Sequence, residues 1–240
     1  MKRILYEIAS NVALTADVFR MDLRGDTSEI VRPGQFINIA LEGRFLRRPI
    51  SVCDWDEDGL TIIYKVVGGG TAQMAGMRPG EKLDALTGLG NGYDVAACPQ
   101  TPLLVGGGVG VPPLYGLARR LIAAGKYPSV ILGFNRQSEI FLVKDFAALD
   151  IPVIITTVDG SVGIPGFVTD AMQGEPYVCC CGPEPMLRAV YGRSSGGQFS
   201  FEARMGCGFG ACMGCSCKTK YGTLRICKDG PVLQKEAIIW

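Results

Sequence analysis

The feature that most constrains this chain is a cysteine-rich stretch near its carboxyl end. Four cysteines fall between positions 207 and 217, and a fifth follows at Cys227. Cys207, Cys212 and Cys215 are spaced Cys-x4-Cys-x2-Cys, and the residues around them include Gly206, Gly208, Gly210, Ala211 and Gly214. Small residues allow a backbone to wrap tightly and to point its N–H groups at sulfur. The stretch therefore predicts a loop folded around a metal centre.

This spacing is typical of the loop with which plant-type ferredoxins hold a 2Fe-2S cluster, although their fourth cysteine lies farther along the chain. We predict that the ligands are Cys207, Cys212, Cys215 and Cys227. The spacing excludes Cys217 as a ligand, and we expect it to be a packed or spare thiol. The main alternative is a structural zinc site with four cysteine ligands. Zinc sites usually offer two arms, each a close pair of ligands. Here three cysteines share one loop and the fourth stands alone, which favours the cluster.

The composition excludes several classes of chemistry and of partner. The 240 residues include no histidine, which rules out His-based triads, His general bases and His metal ligands. Lys and Arg number 24 against 23 for Asp and Glu, so net charge does not favour nucleic acid or an anionic membrane. The sequence contains no run of about twenty apolar residues, so it predicts no membrane span. The first apolar run breaks at Glu7, too early for a signal peptide, and we expect a cytoplasmic protein.

The first third of the chain has the pattern of a small β domain. Short runs of alternating apolar and polar residues are separated by turn signals, and Asp56-Glu57-Asp58-Gly59 predicts a hairpin turn. About six short strands at this spacing predict an antiparallel β-barrel over residues 1–97. One strand begins with Arg48-Pro49-Ile50-Ser51. Arg48 offers donors to a pyrophosphate and Ser51 a hydroxyl to a flat ring, although the tetrapeptide alone also fits a strand with an exposed arginine.

Two further segments of this domain indicate a flavin. The strand Ile63-Tyr64-Lys65 leads into a glycine loop ending at Gly70 and Thr71 and then into a helical segment, an arrangement suited to phosphate. A second glycine-rich loop closes the domain. The order of these motifs resembles the flavin domain of the ferredoxin–NADP reductase superfamily. The resemblance implies FAD lined by Arg48, Pro49, Ile50 and Ser51, with Ile63, Tyr64 and Lys65 along its ring and ribityl chain and Gly70 and Thr71 at its pyrophosphate.

The middle third alternates buried strands with amphipathic segments. Apolar runs of strand length are PLLVGGG, SVILGF, PVIITTV and PYVCCC, and the helical pieces include DFAALD, GFVTDAMQ and PMLRAVYG. Alternating β and α elements predict a doubly wound parallel α/β domain, with helices on both faces of the sheet. We assign this domain to residues 98–195, so the chain is an α+β multidomain protein.

The first strand–helix turn of this domain runs from Gly106 to Pro113. It lacks the GxGxxG dinucleotide fingerprint, but Gly107, Gly108, Gly110 and Pro113 match the version found in ferredoxin reductases. Glycines let backbone N–H groups approach a pyrophosphate at a helix amino terminus. We predict a nicotinamide dinucleotide here. The alternative is a glycine turn needed only for tight packing.

A second nicotinamide motif follows the last strand. The resemblance maps Cys181-Gly182-Pro183 and Met186 onto the superfamily's CGPxxM motif, whose cysteine lies near the nicotinamide where hydride crosses to flavin. Cys179 and Cys180 are expected to be buried strand residues. Arg136, after SVILGF, would suit a 2′-phosphate, but no acidic residue is clearly placed for ribose hydroxyls. The choice between NAD and NADP stays open.

The remaining segment narrows the resemblance from the superfamily to one family. Residues 193–197 have the composition of a linker, which leaves 196–240 as a 2Fe-2S module too short for a complete ferredoxin domain. FEARMGCGFGACMGCSC, with the fourth cysteine in RICKDGPVL, resembles the electron transfer subunits of NAD-dependent dihydroorotate dehydrogenase. That family has the same domain order. The resemblance implies that dihydroorotate is oxidised at FMN on a separate catalytic subunit, with electrons passing through the cluster and FAD to NAD in a two-plus-two heterotetramer.

The three cofactors together predict an electron-transfer function. A nicotinamide exchanges two electrons as hydride and an iron–sulfur cluster exchanges one, whereas a flavin does both. Three other hypotheses remain. A related NAD(P)H-dependent ferredoxin or sulfur-compound reductase subunit often has a first ligand other than cysteine, unlike Cys207. A self-contained oxygenase reductase would need a full ferredoxin domain. The last alternative is a non-catalytic zinc- and nucleotide-binding regulator.

Overall fold

Six strands close the first part of the chain into an antiparallel barrel in the computed structural model, which describes residues 1–240. They are β1 Lys2–Ala13, β2 Val18–Arg24, β3 Phe36–Ile39, β4 Arg48–Trp55, β5 Gly59–Lys65 and β6 Lys82–Leu89. Around the barrel they follow the order β1, β2, β5, β4, β3, β6. Alternate side chains point inward and form an apolar core that includes Tyr6, Ile8, Met21, Ile37, Ile39 and Ile62. The predicted barrel and the hairpin turn at 56–59 are both confirmed.

A short helix, α1 (Gly69–Ala75), follows β5, as the glycine loop before it predicts. The helix begins there because Thr71 Oγ1 accepts hydrogen bonds from the backbone N–H groups of Val67 at 2.9 Å and Gly68 at 3.3 Å. Met74 is fully buried in the barrel core and fixes the helix against it. Gly68 and Gly69 remain exposed at the amino end of the helix.

Nine further strands and three helices make up the rest of the chain. The strands are β7 Leu103–Gly107, β8 Ser129–Phe134, β9 Val153–Thr157, β10 Ile164–Pro165, β11 Tyr177–Cys181, β12 Gly196–Ser200, β13 Ser216–Thr219, β14 Gly222–Arg225 and β15 Val232–Gln234. Seven of them form one sheet in the order β10, β9, β8, β7, β11, β12, β15, and β13 pairs with β14. Neighbouring strands in the large sheet are parallel, except that β15 runs antiparallel to β12.

The helices cover both faces of the large sheet. They are α2 Pro112–Ala123, α3 Val143–Ala147 and α4 Glu184–Tyr191. Leu117 of α2 and Phe146 of α3 belong to one apolar core with Val130 of β8. Leu187 of α4 belongs to the other core, with Ile131, the next residue of β8. Successive strand residues point to opposite faces, so the predicted doubly wound α/β domain is confirmed. No helix of the structure combines the length and the apolar character that a membrane crossing requires.

One predicted helix is absent. The segment GFVTDAMQ forms only a single 3-10 turn, Val168–Ala171. Gly166 and Gly174, on either side, have positive φ angles of 109° and 62°, which a right-handed helix cannot contain. A helix in this segment therefore could not extend past either glycine.

The interpretation of residues 193–197 as a linker is wrong for its last two residues. Gly196 and Gly197 begin β12, which pairs with β11 along its whole length. A Cβ at Gly197 would lie 2.3 Å from the backbone oxygen of Val178. Gly197 therefore allows two strands to approach closely and does not mark a flexible connection.

The cysteine-rich segment is built onto the α/β sheet. β12 precedes the cysteine loop and β15 follows Cys227, and both are strands of the large sheet. Cys215, Ile226 and Cys227 are buried in the same apolar core as Phe199 of β12. The domain boundaries at 97/98 and 195/196 stay predictions, and the second one separates strands that share a sheet.

The barrel and the α/β domain pack through α2 and β4. A Cβ at Gly116 of α2 would lie 2.5 Å from the backbone oxygen of Cys53. Arg120 lies over the Trp55 ring at 3.6 Å from its centroid and also pairs with Asp54. This close approach fixes how the two domains face each other.

Gly116→Ala should therefore destabilise the folded chain. The added methyl group overpacks the interface against backbone, and overpacking typically costs about 1–3 kcal/mol. The midpoint of chemical denaturation would measure the loss. Gly192→Ala is the control, because the nearest atom to its Cβ would be 3.6 Å away. Equal midpoints for both variants would contradict the close approach.

Candidate cluster, flavin and nicotinamide sites

The predicted metal loop surrounds sulfur with backbone donors. Cys207 Sγ accepts hydrogen bonds from the N–H groups of Ala211 at 3.2 Å and Cys212 at 3.4 Å. Cys212 Sγ accepts one from Gly214 at 3.4 Å. Burial alone would raise the pKa of Cys207, but the surrounding N–H donors outweigh it and lower that pKa to about 6. The loop therefore stabilises a thiolate, which is the form that binds metal.

The four predicted ligands lie in two pairs. The N–H of Cys207 points at Cys212 Sγ at 3.5 Å, and the N–H of Cys227 points at Cys215 Sγ at 3.4 Å. The segment that carries Cys227 is joined to the loop between Cys207 and Cys212, because Arg225 Nη1 donates a hydrogen bond to the Gly210 oxygen at 3.0 Å. Burial raises the pKa of Cys227 to about 12. Two adjacent pairs suit a two-iron cluster, in which four cysteines are shared between the two irons.

A structural zinc ion would use the same four cysteines, directed at one point. The preference for a cluster over zinc rests on their spacing, since three of the four share one loop. Cys217 lies in β13, is partly buried against the core below the loop, and has its pKa raised by burial. Its position is that of a packed residue.

The cysteine loop touches the barrel at β3. Asn38 Nδ2 donates a hydrogen bond to the backbone oxygen of Cys207 at 3.1 Å. Phe36, two residues earlier on β3, is buried in the apolar core that contains Cys215 and Cys227. β3 is also hydrogen-bonded to β4, the strand that starts with the predicted flavin motif. One strand therefore separates the flavin motif from the metal loop.

The predicted pyrophosphate residues come together at the amino end of α1. A Cβ at Gly70 would lie 2.2 Å from Arg48 Nε, so the guanidinium packs directly on the glycine. A second arginine, Arg44, donates a hydrogen bond to the Gly69 oxygen at 3.0 Å. Two cations beside an exposed glycine loop and a helix amino terminus form a suitable cradle for a pyrophosphate. Thr71 caps this helix with its hydroxyl, which is its role in the structure.

The remaining flavin residues differ in where their side chains lie. Pro49 and Ser51 stand opposite Asn38 and Phe36 on β3 and are partly exposed. Ile50 packs against the barrel core.

The strand Ile63–Lys65 offers mainly its backbone to a ligand. Ile63 is buried in the core between the domains, and Lys65 pairs with Asp17 at 3.1 Å. The Tyr64 ring is buried in the barrel, where its hydroxyl donates to Asn11 at 3.0 Å, and burial raises its pKa to about 12.

The two nicotinamide motifs meet at the carboxyl edge of the large sheet. Cys181 lies opposite Gly106 on neighbouring parallel strands. A Cβ at Gly110 would lie 2.3 Å from the Cys181 oxygen, and one at Gly107 would lie 2.5 Å from Met186 Sδ. Ligands of doubly wound sheets bind at this edge. The glycines therefore serve close packing of the two motifs, and the same packing assembles the candidate dinucleotide site.

The other predicted residues of this site flank the contact. Gly108 has a φ angle of 51° and no close neighbour, so its backbone is free to face a ligand. Pro113 is buried in the first turn of α2, and Gly182 and Pro183 lead from β11 into α4. Burial raises the pKa of the Cys181 thiol to about 12, so it is neutral at physiological pH.

Comparison with known proteins identifies the family. Residues 202–239 match the family model described as the iron-sulfur cluster binding domain of dihydroorotate dehydrogenase B. The dihydroorotate dehydrogenase B (NAD(+)) electron transfer subunit of Fusobacterium nucleatum is 43% identical over 244 residues, covering 94% of each chain. The chain belongs to this family. The family's member from Lysinibacillus sphaericus is 38% identical and covers 96% of each chain.

Solved structures support the same fold. A structure described as an NADH-dependent reduced ferredoxin-NADP oxidoreductase has a TM-score of 0.88 at 29% identity, covering 99% of this chain and 90% of that one. A ferredoxin NADP+ reductase from Neisseria gonorrhoeae, solved with FAD and NADP bound, has a TM-score of 0.70 at 16% identity, covering 80% and 90%. At 16% identity, the similarity to the Neisseria gonorrhoeae structure supports the fold alone. The electron transfer subunits thus share the architecture of the ferredoxin reductases.

Sequence reasoning missed three residues of these sites. Asn38 and Arg44 stand in no motif, although Arg44 lies only four positions before Arg48. Glu139 was overlooked because it follows the strand end by five residues. The 3-10 turn Gln137–Glu139 returns its carboxylate to that end, where it accepts hydrogen bonds from Asn135 at 2.8 Å and Arg136 at 3.0 Å.

Gly110→Ala should weaken nicotinamide binding while leaving the flavin bound. Its methyl group would meet the Cys181 backbone and force the two motifs apart, and a loss of about 1.4 kcal/mol would weaken affinity about tenfold. The dependence of flavin reduction on NADH concentration would measure this effect. Gly125→Ala is the control, because its Cβ would have no neighbour within 4 Å. An unchanged NADH dependence in Gly110→Ala would contradict the assignment.

Proposed function

We propose that the chain carries electrons from dihydroorotate, oxidised at FMN on a catalytic partner subunit, through a 2Fe-2S cluster and FAD to NAD+. The observation that carries this proposal is the arrangement of the three candidate sites. The metal loop and the flavin motif lie on either side of β3. The nicotinamide motifs lie at the carboxyl edge of the sheet whose β12 leads into the metal loop.

The proposed cluster ligands are Cys207, Cys212, Cys215 and Cys227. Their arrangement as two neighbouring pairs, each with a backbone N–H directed at sulfur, suits two irons. N–H groups directed at a cysteine sulfur stabilise its thiolate and influence the reduction potential of a cluster. Cys215 and Cys227 are buried, so protein surrounds that side of the site and excludes water from it.

The proposed FAD site combines charge with an open strand edge. Arg48, with Arg44 beside it, holds the pyrophosphate at the amino end of α1. Its other residues are Pro49, Ile50 and Ser51 of β4, the backbone of Ile63, Tyr64 and Lys65, and Gly70 and Thr71. The buried Tyr64 ring supports the strand from inside the barrel.

The proposed nicotinamide site consists of Gly107, Gly108, Gly110, Pro113, Cys181, Gly182 and Pro183. The neutral Cys181 thiol adds no negative charge where hydride is exchanged. The Glu139 carboxylate at the end of β8 is positioned to accept hydrogen bonds from ribose hydroxyls, and its pairing with Arg136 engages the guanidinium that would otherwise suit a 2′-phosphate, which favours NAD over NADP. When bound, NAD exchanges hydride with FAD and the cluster exchanges single electrons with it.

The proposal includes a partner because the relatives that this chain matches over nearly its full length are electron transfer subunits of dihydroorotate dehydrogenase B. None of its ten cysteines is joined in a disulfide bond, which fits the proposed cytoplasmic location. We propose assembly of two catalytic with two electron transfer subunits. The alternative is a ferredoxin reductase subunit, which the structural similarity at a TM-score of 0.88 favours.

Purified chain, alone and with its FMN-containing partner, would test this function. The chain alone should show flavin and iron–sulfur absorption, and a colourless protein would contradict the proposal. The complex should reduce NAD+ when dihydroorotate is supplied. Reduction of ferredoxin by NADPH without any response to dihydroorotate would favour the alternative.

The ligand set gives a separate prediction. Cys227→Ser should lose the cluster and keep FAD, because it removes one thiolate of the buried pair. Cys217→Ser should retain iron, and it is the matched control from the same module. Iron content per chain and the visible spectrum measure both effects. Full iron in Cys227→Ser, or loss of iron in Cys217→Ser, would overturn the assignment.

A further inference from the structure

Asn38 joins the barrel to the metal loop through a side chain that no motif explains. It is 1% exposed. Its Nδ2 donates to the Cys207 oxygen at 3.1 Å, across 169 positions of the sequence. Because Cys207 is the first proposed cluster ligand, this hydrogen bond acts on the peptide that carries a ligand. Truncating Asn38 would free that peptide from the barrel.

The loop approaches Asn38 as closely as glycine allows. A Cβ at Gly208 would lie 2.2 Å from Asn38 Nδ2 and 3.0 Å from its Cγ. Gly208 also has a φ angle of 80°, which L-residues with a Cβ adopt rarely. The conformation and the close contact both require glycine at the position that follows Cys207. The two sides of the contact are thus complementary in shape.

Asn38 itself is held rigidly next to the flavin strand. It lies opposite Pro49 of β4 and Leu86 of β6, so β3 is paired on both sides. Its backbone oxygen accepts a hydrogen bond from Arg47 Nη1 at 3.1 Å, and the same Nη1 pairs with Asp84 at 3.1 Å. Because β3 is paired with β4, the position of β4 determines where Asn38 holds the Cys207 peptide.

The amide group of Asn38 is costly in this environment. Its Oδ1 is buried and has no hydrogen-bond partner. Buried polar atoms without partners are disfavoured, and each one in a native structure needs an explanation. An apolar residue of similar size would fill the same space without that cost. The hydrogen bond to Cys207 is the feature of the contact that an apolar residue cannot supply.

We propose that Asn38 is a positioning residue that sets the approach of the cluster loop to the flavin strand. It does so by fixing the Cys207 peptide against β3, one strand away from the Arg48–Ser51 motif. The inference rests on the proposed function, since it assumes a cluster in the loop and FAD on β4. Its effect is on transfer between these two centres and not on exchange between FAD and NAD.

The first test uses Asn38→Leu, which keeps the side-chain size and removes the donor. Amides of residues 207–212 in the cofactor-bound protein should exchange with deuterium about tenfold faster, because the loop loses its tether. Thr219→Val is the matched control. It removes a buried hydrogen bond of 2.7 Å to Gly222 in the same module without touching β3. Unchanged exchange in Asn38→Leu would overturn the inference.

The second readout separates the two transfer steps in a rapid-mixing experiment. NADH supplies two electrons and becomes NAD+, and of these the cluster accepts one while the flavin keeps the other. In Asn38→Leu, bleaching of the cluster absorption band should be slower by about tenfold or more, because misplacing two reacting groups slows the step between them. The initial bleaching of the flavin by NADH should stay within about twofold of the unmodified protein. A general loss of structure would slow both.

Gly208→Ala tests the same contact from the loop side and decides the question if Asn38→Leu does not retain iron. The added Cβ meets Asn38, so cluster bleaching should slow as it does in Asn38→Leu. In Asn38→Ala/Gly208→Ala the clashing amide is gone and only the backbone strain at the positive φ of residue 208 remains, so Gly208→Ala should slow cluster bleaching less in the Asn38→Ala background than in the unmodified protein. Two independent, additive losses would overturn the inference.

Failure of the inference and failure of the proposed function give different results. Unmodified protein without flavin and iron–sulfur bands would remove the proposed function and the inference with it. If both bands are present and NADH reduces the cluster at the same rate in Asn38→Leu, Gly208→Ala and the unmodified protein, the proposed function stands and the positioning role of Asn38 is refuted.

Discussion

The backbone ladder from β11 through β12 to β15 is the interaction on which the metal loop depends. A segment of about 40 residues rarely buries enough surface to fold by itself. This segment solves the problem by adding β12 and β15 to the α/β sheet and by sharing an apolar core with α4 and β11. The loop between Ser200 and Cys215 is thereby fixed at both ends. A cluster held in it would have a defined position relative to the nucleotide edge of the sheet.

Close backbone approach assembles the other two sites. At the sheet edge Gly110 lies against the Cys181 backbone, and in the barrel Gly70 lies against the Arg48 guanidinium. A side chain at Gly110 would meet backbone and separate two motifs that are distant in sequence, whereas one at Gly70 would displace the Arg48 guanidinium from the amino end of α1. The glycines that point to phosphate binding in the sequence are therefore also the residues that bring the predicted binding segments together. Their two roles are compatible, because a ligand and a neighbouring strand both need access to bare backbone.

The fold was largely predictable because its signals are local. Strand alternation, the turn at 56–59 and the amphipathic pattern of PMLRAVYG are properties of neighbouring residues. Prediction failed where distant segments decide the structure. Gly196 and Gly197 have the composition of a linker, but the edge of β11 recruits them into a strand. The role of the Ile63–Lys65 segment at a flavin stays a prediction, and the parity of β5 decides only that the Tyr64 ring points into the barrel.

The sequence by itself determined the chemistry: cysteine spacing for a cluster, an arginine motif for flavin phosphate, and paired glycine motifs for a nicotinamide. Residue type and short-range spacing carry that information, because ligand chemistry depends on which atoms a few neighbouring residues supply. Only the tertiary structure decided how the sites lie relative to one another. Asn38 contacts Cys207 and Glu139 returns to the end of β8 through chain folding, which short-range sequence patterns do not encode. The metal loop and the flavin motif are separated by a single strand, β3. This separation, on which electron transfer between them depends, is a property of the folded chain.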